Sequence, residues 1–173
     1  MCSFVLSRLD YCNSLLIDIT SDHMYRLQKI QNHAAKVVFR KSKHEHVTPL
    51  LKNLHWLSVK ERILFKIATF AFRFFGGTLP PYLSSCLSVY TPSRTLRCSS
   101  DEKTLSCAKW KRKGFGHRSF SVQAPLVWNS LPPHIRHSFS LSQFNISLRH
   151  SSSILPSPSY LDSLEDLRFS SPS

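Results

Sequence analysis

Adjacent acidic residues are the first feature of this 173-residue chain that could do chemistry. Hard cations such as Mg²⁺ are held in polymerases and nucleases by carboxylates brought together at a strand turn. The two adjacent pairs, Asp101-Glu102 and Glu165-Asp166, do not lie between β-branched strand residues. We interpret both pairs as solvated loop acids, and the sequence predicts no catalytic metal site and no cofactor.

Histidine and cysteine side chains offer a second possible chemistry, zinc binding. Zinc loops place their ligands two to five residues apart. Apart from His44 and His46, neighbours in the two candidate sets are nine or more positions apart (His44, His46 and His55; Cys86, Cys98, Cys107 and His117), so neither set has the paired spacing of a zinc site. The five cysteines include no C-x-x-C pair, which indicates reduced thiols rather than a disulfide framework. We interpret the cysteines as small buried hydrophobes and the histidines as surface donors. The serines are numerous, but none lies in the Gly-framed turn of a hydrolase nucleophile.

A basic, aromatic run is the stronger candidate. Residues 109–118 read KWKRKGFGHR and combine cations that can contact phosphate with rings on which bases can stack. The candidate nucleic-acid contacts are Lys109, Trp110, Lys111, Arg112, Lys113 and Arg118. Gly114 and Gly116 fit either a hairpin turn or a loop that approaches phosphate.

A second set of cations follows helical spacing. Arg62, Lys66 and Arg73 share one face with Thr69, opposite two rows of apolar side chains. This face is either solvated or a track for phosphates. We include the three cations among the nucleic-acid candidates.

The composition of the chain favours a polyanionic partner. Lys and Arg total 23 against 10 Asp and Glu, a formal charge of +13, with the excess concentrated in the central part of the sequence. Such a balance points to RNA or DNA first. The most apolar stretch, Ile63 to Phe75, contains Lys66 and Arg73 and is shorter than a bilayer span. No N-terminal signal sequence is recognisable, so we expect an intracellular chain, cytoplasmic or nuclear, with no membrane partner.

Apolar periodicity predicts a mainly α-helical fold, a small helical bundle. Helices are predicted near 4–17, 22–40, 49–54, 59–75, 124–131 and 140–149. Ser58 and Glu61 form a capping box at the start of the fourth helix, and Gly76-Gly77 ends it. The stretch from 78 to 98 is Pro-punctuated, with at most one helical turn at Tyr82-Leu83.

The basic run is predicted to lie on a two-stranded β-ribbon near 103–122 that turns at its glycines. Trp128, in the segment SVQAPLVWNSLPPHIR, is interpreted as core beneath this ribbon. The last residues are rich in Ser and Pro and acidic, which predicts a disordered tail. The expected segments are 1–77 (helical), 78–150 (basic ribbon and short helices) and 151–173 (tail).

Five ordered blocks carry a family resemblance. They are SRLDYCNSLL, RLQKIQNHAAKVV, HVTPLLKNLHWLSVKERILFKI, PPYLSSCLSVYTPSRTLR and GHRSFSVQAPLVWNSLPPHIR. In order and spacing they resemble the C-terminal thumb and post-thumb region of reverse transcriptases from non-LTR retrotransposons (LINEs), of the jockey-like and chicken-repeat-like groups. The resemblance covers residues 4 to 148.

The resemblance implies an origin in a larger polyprotein with an endonuclease and an RNA-directed DNA polymerase. The family's palm and endonuclease signatures have no matching positions in this chain, so no catalytic residue is carried over. In the family this region contacts template RNA or target DNA, and the run 109–118 fits that role. Met1 lies just before a block that is internal in the family, and the residues after His150 depart from the family pattern, so we expect a truncated copy.

The sequence therefore predicts a truncated, catalytically inert remnant of a transposable element's polymerase that binds nucleic acid weakly and without sequence specificity. Two alternatives stay open. One is a domesticated RNA- or DNA-binding module. The other is a fragment whose exposed phenylalanine rows need another protein as a partner.

Overall fold

The computed structural model of the chain describes residues 2–91, 103–108, 116 and 118–150. These residues are mainly helical, as predicted, and form eight α-helices and one short 3₁₀ helix, Asn13–Leu16. The α-helices are α1 (Cys2–Asp10), α2 (Ser21–Val38), α3 (Thr48–Asn53), α4 (Val59–Phe75), α5 (Pro81–Ser84), α6 (Phe120–Asn129), α7 (Pro133–Arg136) and α8 (Leu141–His150). The predicted disordered tail lies outside the described residues.

The chain divides into two compact units, Met1–Lys66 and Ile67–Ser173. The division falls inside α4. The segment boundary predicted from sequence, after residue 77, lies two residues past the end of α4 at Phe75.

In the first unit, α2 packs against α1 and α3. Polar side chains on the buried side of α2 hold the chain that leads into α4. Gln31 is fully buried and donates to the carbonyl oxygen of Leu57 at 2.8 Å, while the Val59 N–H donates to the side-chain oxygen of Gln28 at 2.9 Å. These contacts satisfy backbone groups at a helix start, where four N–H groups have no partner within the helix.

The predicted capping box of α4 is confirmed. The Ser58 N–H donates to the Glu61 carboxylate at 2.9 Å, and the Glu61 N–H donates to the Ser58 hydroxyl at 3.3 Å. Both contacts are local, which is why sequence spacing alone could find them.

The prediction of one helix over 4–17 is wrong. α1 ends at Asp10, and Cys12 adopts a left-handed conformation with φ 49° before the 3₁₀ helix begins. Asn13 is buried at the break. The apolar periodicity continues through this turn because Leu9 and Ile17 both enter the core of the unit, so pattern alone did not show the break.

Three helices end in the same backbone motif. After α2, α3 and α4 the residue past the cap has positive φ, and the next N–H donates to the carbonyl oxygen five residues back along the chain. Gly77 takes this place after α4, as the sequence predicted. Arg40 and His55 take it after α2 and α3, with φ of 49° and 53°.

The second unit is built around aromatic side chains. Trp128 and Phe144 are both fully buried. Phe72 stacks on Phe144 with ring centroids 4.5 Å apart, and Phe75 lies 5.1 Å from Trp128. Phe70 meets Phe120 edge to face. These contacts fix the C-terminal half of α4 against α6 and α8.

The predicted two-stranded ribbon over 103–122 is not seen among the described residues. The segment 103–108 is extended, but it forms a single antiparallel bridge, between Leu105 and Val89. Its expected partner arm becomes the start of α6, since the Ser119 carbonyl accepts from the N–H groups of Val122 and Gln123. The alternation of Phe120 and Val122 suggested a strand, yet both belong to a helix.

Helix α6 also begins earlier than the predicted 124–131. The predicted start would put Pro125 in the first turn, where proline is normally found, whereas Pro125 lies inside the observed helix. Every residue from Val122 to Trp128 is buried. Packing on all sides of α6 offsets the hydrogen bond that proline cannot make.

Candidate nucleic-acid interface

Two of the three α4 cations in the candidate site contact Asp10. Arg62 Nε donates to Asp10 Oδ1 at 2.8 Å, and its Nη2 donates to Oδ2. Lys66 Nζ donates to the backbone carbonyl oxygen of Asp10 at 2.9 Å. A bidentate, charge-assisted pair of this kind has well-defined geometry. Both cations therefore hold the end of α1 to α4 within the first unit.

Arg73, the third α4 cation, is exposed on the last turn of the helix. Its backbone carbonyl accepts from the Thr78 N–H at 3.0 Å, within the motif that ends α4. A cation near a helix C-terminus interacts favourably with the helix dipole. The side chain is accessible to a phosphate, and its role in binding nucleic acid stays a prediction.

The basic run is represented in the described residues by Arg118 alone. The other candidates lie outside the described residues (Lys109, Trp110, Lys111, Arg112 and Lys113). Arg118 lies two residues before α6 begins at Phe120 and is half-buried. Its Nε is enclosed and has no hydrogen-bond acceptor in the part of the chain that the structure describes. An enclosed N–H without an acceptor is an unsatisfied buried donor, which is uncommon in folded proteins.

Trp128 belongs to the core, as predicted, although the ribbon expected above it is not seen among the described residues. Its indole N–H donates to the carbonyl oxygen of Lys103 at 2.6 Å. The side chain of Asn129 pairs with the backbone of Leu105, two positions after Lys103. Its amide oxygen accepts from the Leu105 N–H at 3.0 Å, and its amide nitrogen donates to the Leu105 carbonyl oxygen at 2.9 Å. α6 thus fixes the extended segment that leads towards the basic run.

The sulfur and imidazole candidates do not form a metal site in the described residues, where no three His, Cys, Asp or Glu side chains converge. Cys12 and Cys86 are exposed, so the interpretation of the cysteines as buried hydrophobes is wrong for these two. The acidic pairs Asp101-Glu102 and Glu165-Asp166 lie outside the described residues.

Asp10 is the residue that sequence reasoning missed. It lies 52 positions from Arg62, and no local spacing links the two. Only the packing of α1 beside the start of α4 brings them together.

No known protein family matches the chain, and neither a curated protein nor a solved structure matches it at a significant level. Within the described residues, none of the helices combines the length and apolarity needed to cross a bilayer.

Proposed function

We propose that this chain is a non-catalytic piece of a retrotransposon reverse transcriptase and that it binds RNA or DNA through phosphate contacts without reading base sequence. The five residue blocks support the origin. The charge of the chain supports the binding.

The charge imbalance is the observation that carries the proposal. The chain has 23 Lys and Arg residues and ten acidic residues, which leaves a net charge of +13 that it cannot neutralise within itself. Among the described residues, Arg26–Asp22, Lys41–Glu45 and Arg62–Asp10 form ion pairs. A polyanion that binds such a surface releases its condensed counterions, which drives association at moderate salt.

The density of cations favours the basic run as one contact surface. Arg118, the candidate contact of the run that the structure describes, is half-buried and keeps part of its side chain at the surface. The neighbouring cations at 109–113 are adjacent in sequence. Trp110 and Phe115 add rings that stack on any base, which gives affinity without sequence preference.

Primer extension tests the non-catalytic part of the proposal. We expect the purified chain to add no nucleotides to a primer annealed on an RNA template with Mg²⁺ or Mn²⁺, since the family's aspartate signature has no counterpart in the sequence. Radiolabelled nucleotide incorporation measures this directly. Incorporation above a no-protein control would contradict the proposal.

Replacing Lys111, Arg112 and Lys113 with Ala tests the basic run. For duplex DNA, each lost phosphate contact should reduce the slope of log K against log salt by about 0.9. Fluorescence anisotropy with a labelled mixed-sequence duplex at several salt concentrations gives that slope.

The matched control replaces Arg8, Lys52 and Arg149 with Ala and removes the same charge from exposed positions elsewhere. We expect it to change the slope much less than the Lys111, Arg112 and Lys113 replacement does. Equal slopes for the two variants would assign binding to net charge and not to the run.

The same measurements apply to a domesticated binding module, which differs from a retrotransposon remnant in its origin and not in its contacts with nucleic acid.

The partner-dependent alternative relied on uncovered phenylalanine rows. In the second unit Phe70, Phe72 and Phe75 each contact an aromatic ring of α6 or α8. This observation favours nucleic-acid binding over the partner-dependent alternative.

A further inference from the structure

A row of basic residues follows α2 on the side opposite its buried face. Lys29, His33 and Lys36 are spaced by four and three residues, which places them on one side of a helix with about 3.6 residues per turn. Lys29 and His33 are exposed, whereas Gln31 and Ala35, on the other side, are fully buried.

Arg40 extends this row beyond the last turn of the helix. It follows Lys36 by four residues and is exposed. The next loop adds Lys43, whose backbone carbonyl accepts from Lys36 Nζ, so the loop folds back onto the row. We call Lys29, His33, Lys36, Arg40 and Lys43 the α2 basic face.

Acidic residues are absent from the sequence between Asp22 and Glu45. Solvated helix faces are normally stabilised by opposite charges three or four residues apart, and like charges at those spacings repel. The two flanking acids are paired with cations outside the α2 basic face, Asp22 with Arg26 and Glu45 with Lys41. The face thus keeps an uncompensated positive charge that an external anion would neutralise.

The conformation of Arg40 allows a specific substitution at this position. Its φ of 49° lies in the left-handed region, where glycine is preferred because a Cβ atom is strained there. The equivalent position after α3 is His55, with φ 53°. Glycine at position 40 therefore removes the charge and relieves backbone strain, and glycine at position 55 is the matched change away from the α2 basic face.

The dimensions of the face suit a nucleic-acid backbone. From Lys29 to Lys36 the helix advances about 10 Å at about 1.5 Å per residue. That length matches about three phosphates at about 3.4 Å per phosphate along one strand of a duplex.

We infer that the α2 basic face contacts the phosphate backbone of a nucleic-acid duplex, as a binding surface additional to the run at 109–118. The inference rests on the proposed function, because it names a further surface for the same ligand. Lys29, Lys36, Arg40 and Lys43 supply the charge, and Arg40 can donate two parallel hydrogen bonds to a phosphate.

The test compares a face variant, Lys29→Gln with Arg40→Gly, against a control that combines Arg8→Gln, Lys52→Gln and His55→Gly. Each removes two lysine or arginine charges, and each places glycine at one left-handed position after a helix. Binding to a labelled mixed-sequence DNA duplex is measured across a salt series. Thermal unfolding is followed by circular dichroism.

In the face variant, the slope of log K against log salt should become roughly 1.8 shallower, because two contacts are lost at about 0.9 each. The slope of the control should stay close to the wild-type slope. Both should unfold at a higher temperature than wild type, because glycine removes the strain at positive φ. Weaker binding by a more stable protein is an outcome that a purely structural role for Arg40 would not produce.

A face variant with the wild-type slope, or a control that loses as much slope, would overturn the inference. The Lys111, Arg112 and Lys113 replacement measured in parallel separates the two proposals. Loss of slope in that variant alone would reject the α2 basic face and leave the proposed function standing. A wild-type chain without salt-dependent binding would reject both.

Discussion

At the scale of single residues, Arg62 shows that spacing on a helix does not decide how a cation is used. The sequence places Arg62 with Lys66 on a solvated or phosphate-binding face, and both contact Asp10 of α1. The Arg62 side chain is 17% exposed. A guanidinium group so enclosed contributes first to the packing of the first unit.

Replacing Arg62 with Gln should lower the free energy of unfolding by about 1.5–3 kcal/mol, the range for hydrogen bonds to charged groups. The reason is that Asp10 loses its bidentate partner. Urea unfolding of Arg62→Gln, Asp10→Asn and the double variant measures the coupling between the two side chains. Additive losses would show that the pair contributes nothing to stability.

The capping box at Ser58 and Glu61 shows the opposite case, a side-chain contact that the sequence alone predicted. Its two residues are three positions apart, so their meeting depends only on helix geometry. Asp10 and Arg62 are 52 positions apart. Contacts of that kind follow from tertiary packing and have no local signature in the chain.

At the scale of elements, the long periodic helices were predictable. α2, α3, α4 and α8 lie within two residues of their predicted bounds, because each presents an apolar stripe to a core. α6 was misplaced because it is buried on all sides, and a stretch without a polar face has no helical period to detect. The short α7, which follows Pro132, was missed for lack of length.

The segment 103–108 is held mainly by the side chain of Asn129, and it does not pair with a full β-strand among the described residues. One edge of Leu105 faces Val89 through a single bridge, and the other edge pairs with the amide of Asn129. Leu105 is 1% exposed. Its backbone groups would be unsatisfied if that amide were removed. No periodicity in sequence predicts such a pairing, so the ribbon was expected instead.

Replacing Asn129 with Ala should lower the free energy of unfolding by about 2–6 kcal/mol, because two buried backbone groups lose their partners at about 1–3 kcal/mol each. Amide hydrogen exchange at Leu105 should accelerate in the same variant. Ser130→Ala, at the next position, is the matched control and should leave exchange at Leu105 unchanged. Wild-type exchange in Asn129→Ala would contradict the assigned pairing.

At the scale of the whole molecule, the proposal of nucleic-acid binding rests on net charge. Composition predicted a polyanionic partner without any structure, since 23 cations exceed 10 acids. The structure adds which cations are engaged within the fold, such as Arg62, and which stay exposed, such as Lys29, Arg40 and Arg73. Sequence spacing could not make that distinction, because it depends on where Asp10 lies.

The most direct test of the central claim is the salt dependence of binding by the full chain to two duplexes of unrelated sequence. Phosphate contact predicts log K that falls linearly with log salt, by about 0.9 for each phosphate neutralised, with the same slope and affinity for both duplexes. Binding that is absent at low salt, independent of salt, or confined to one of the two sequences would contradict the account.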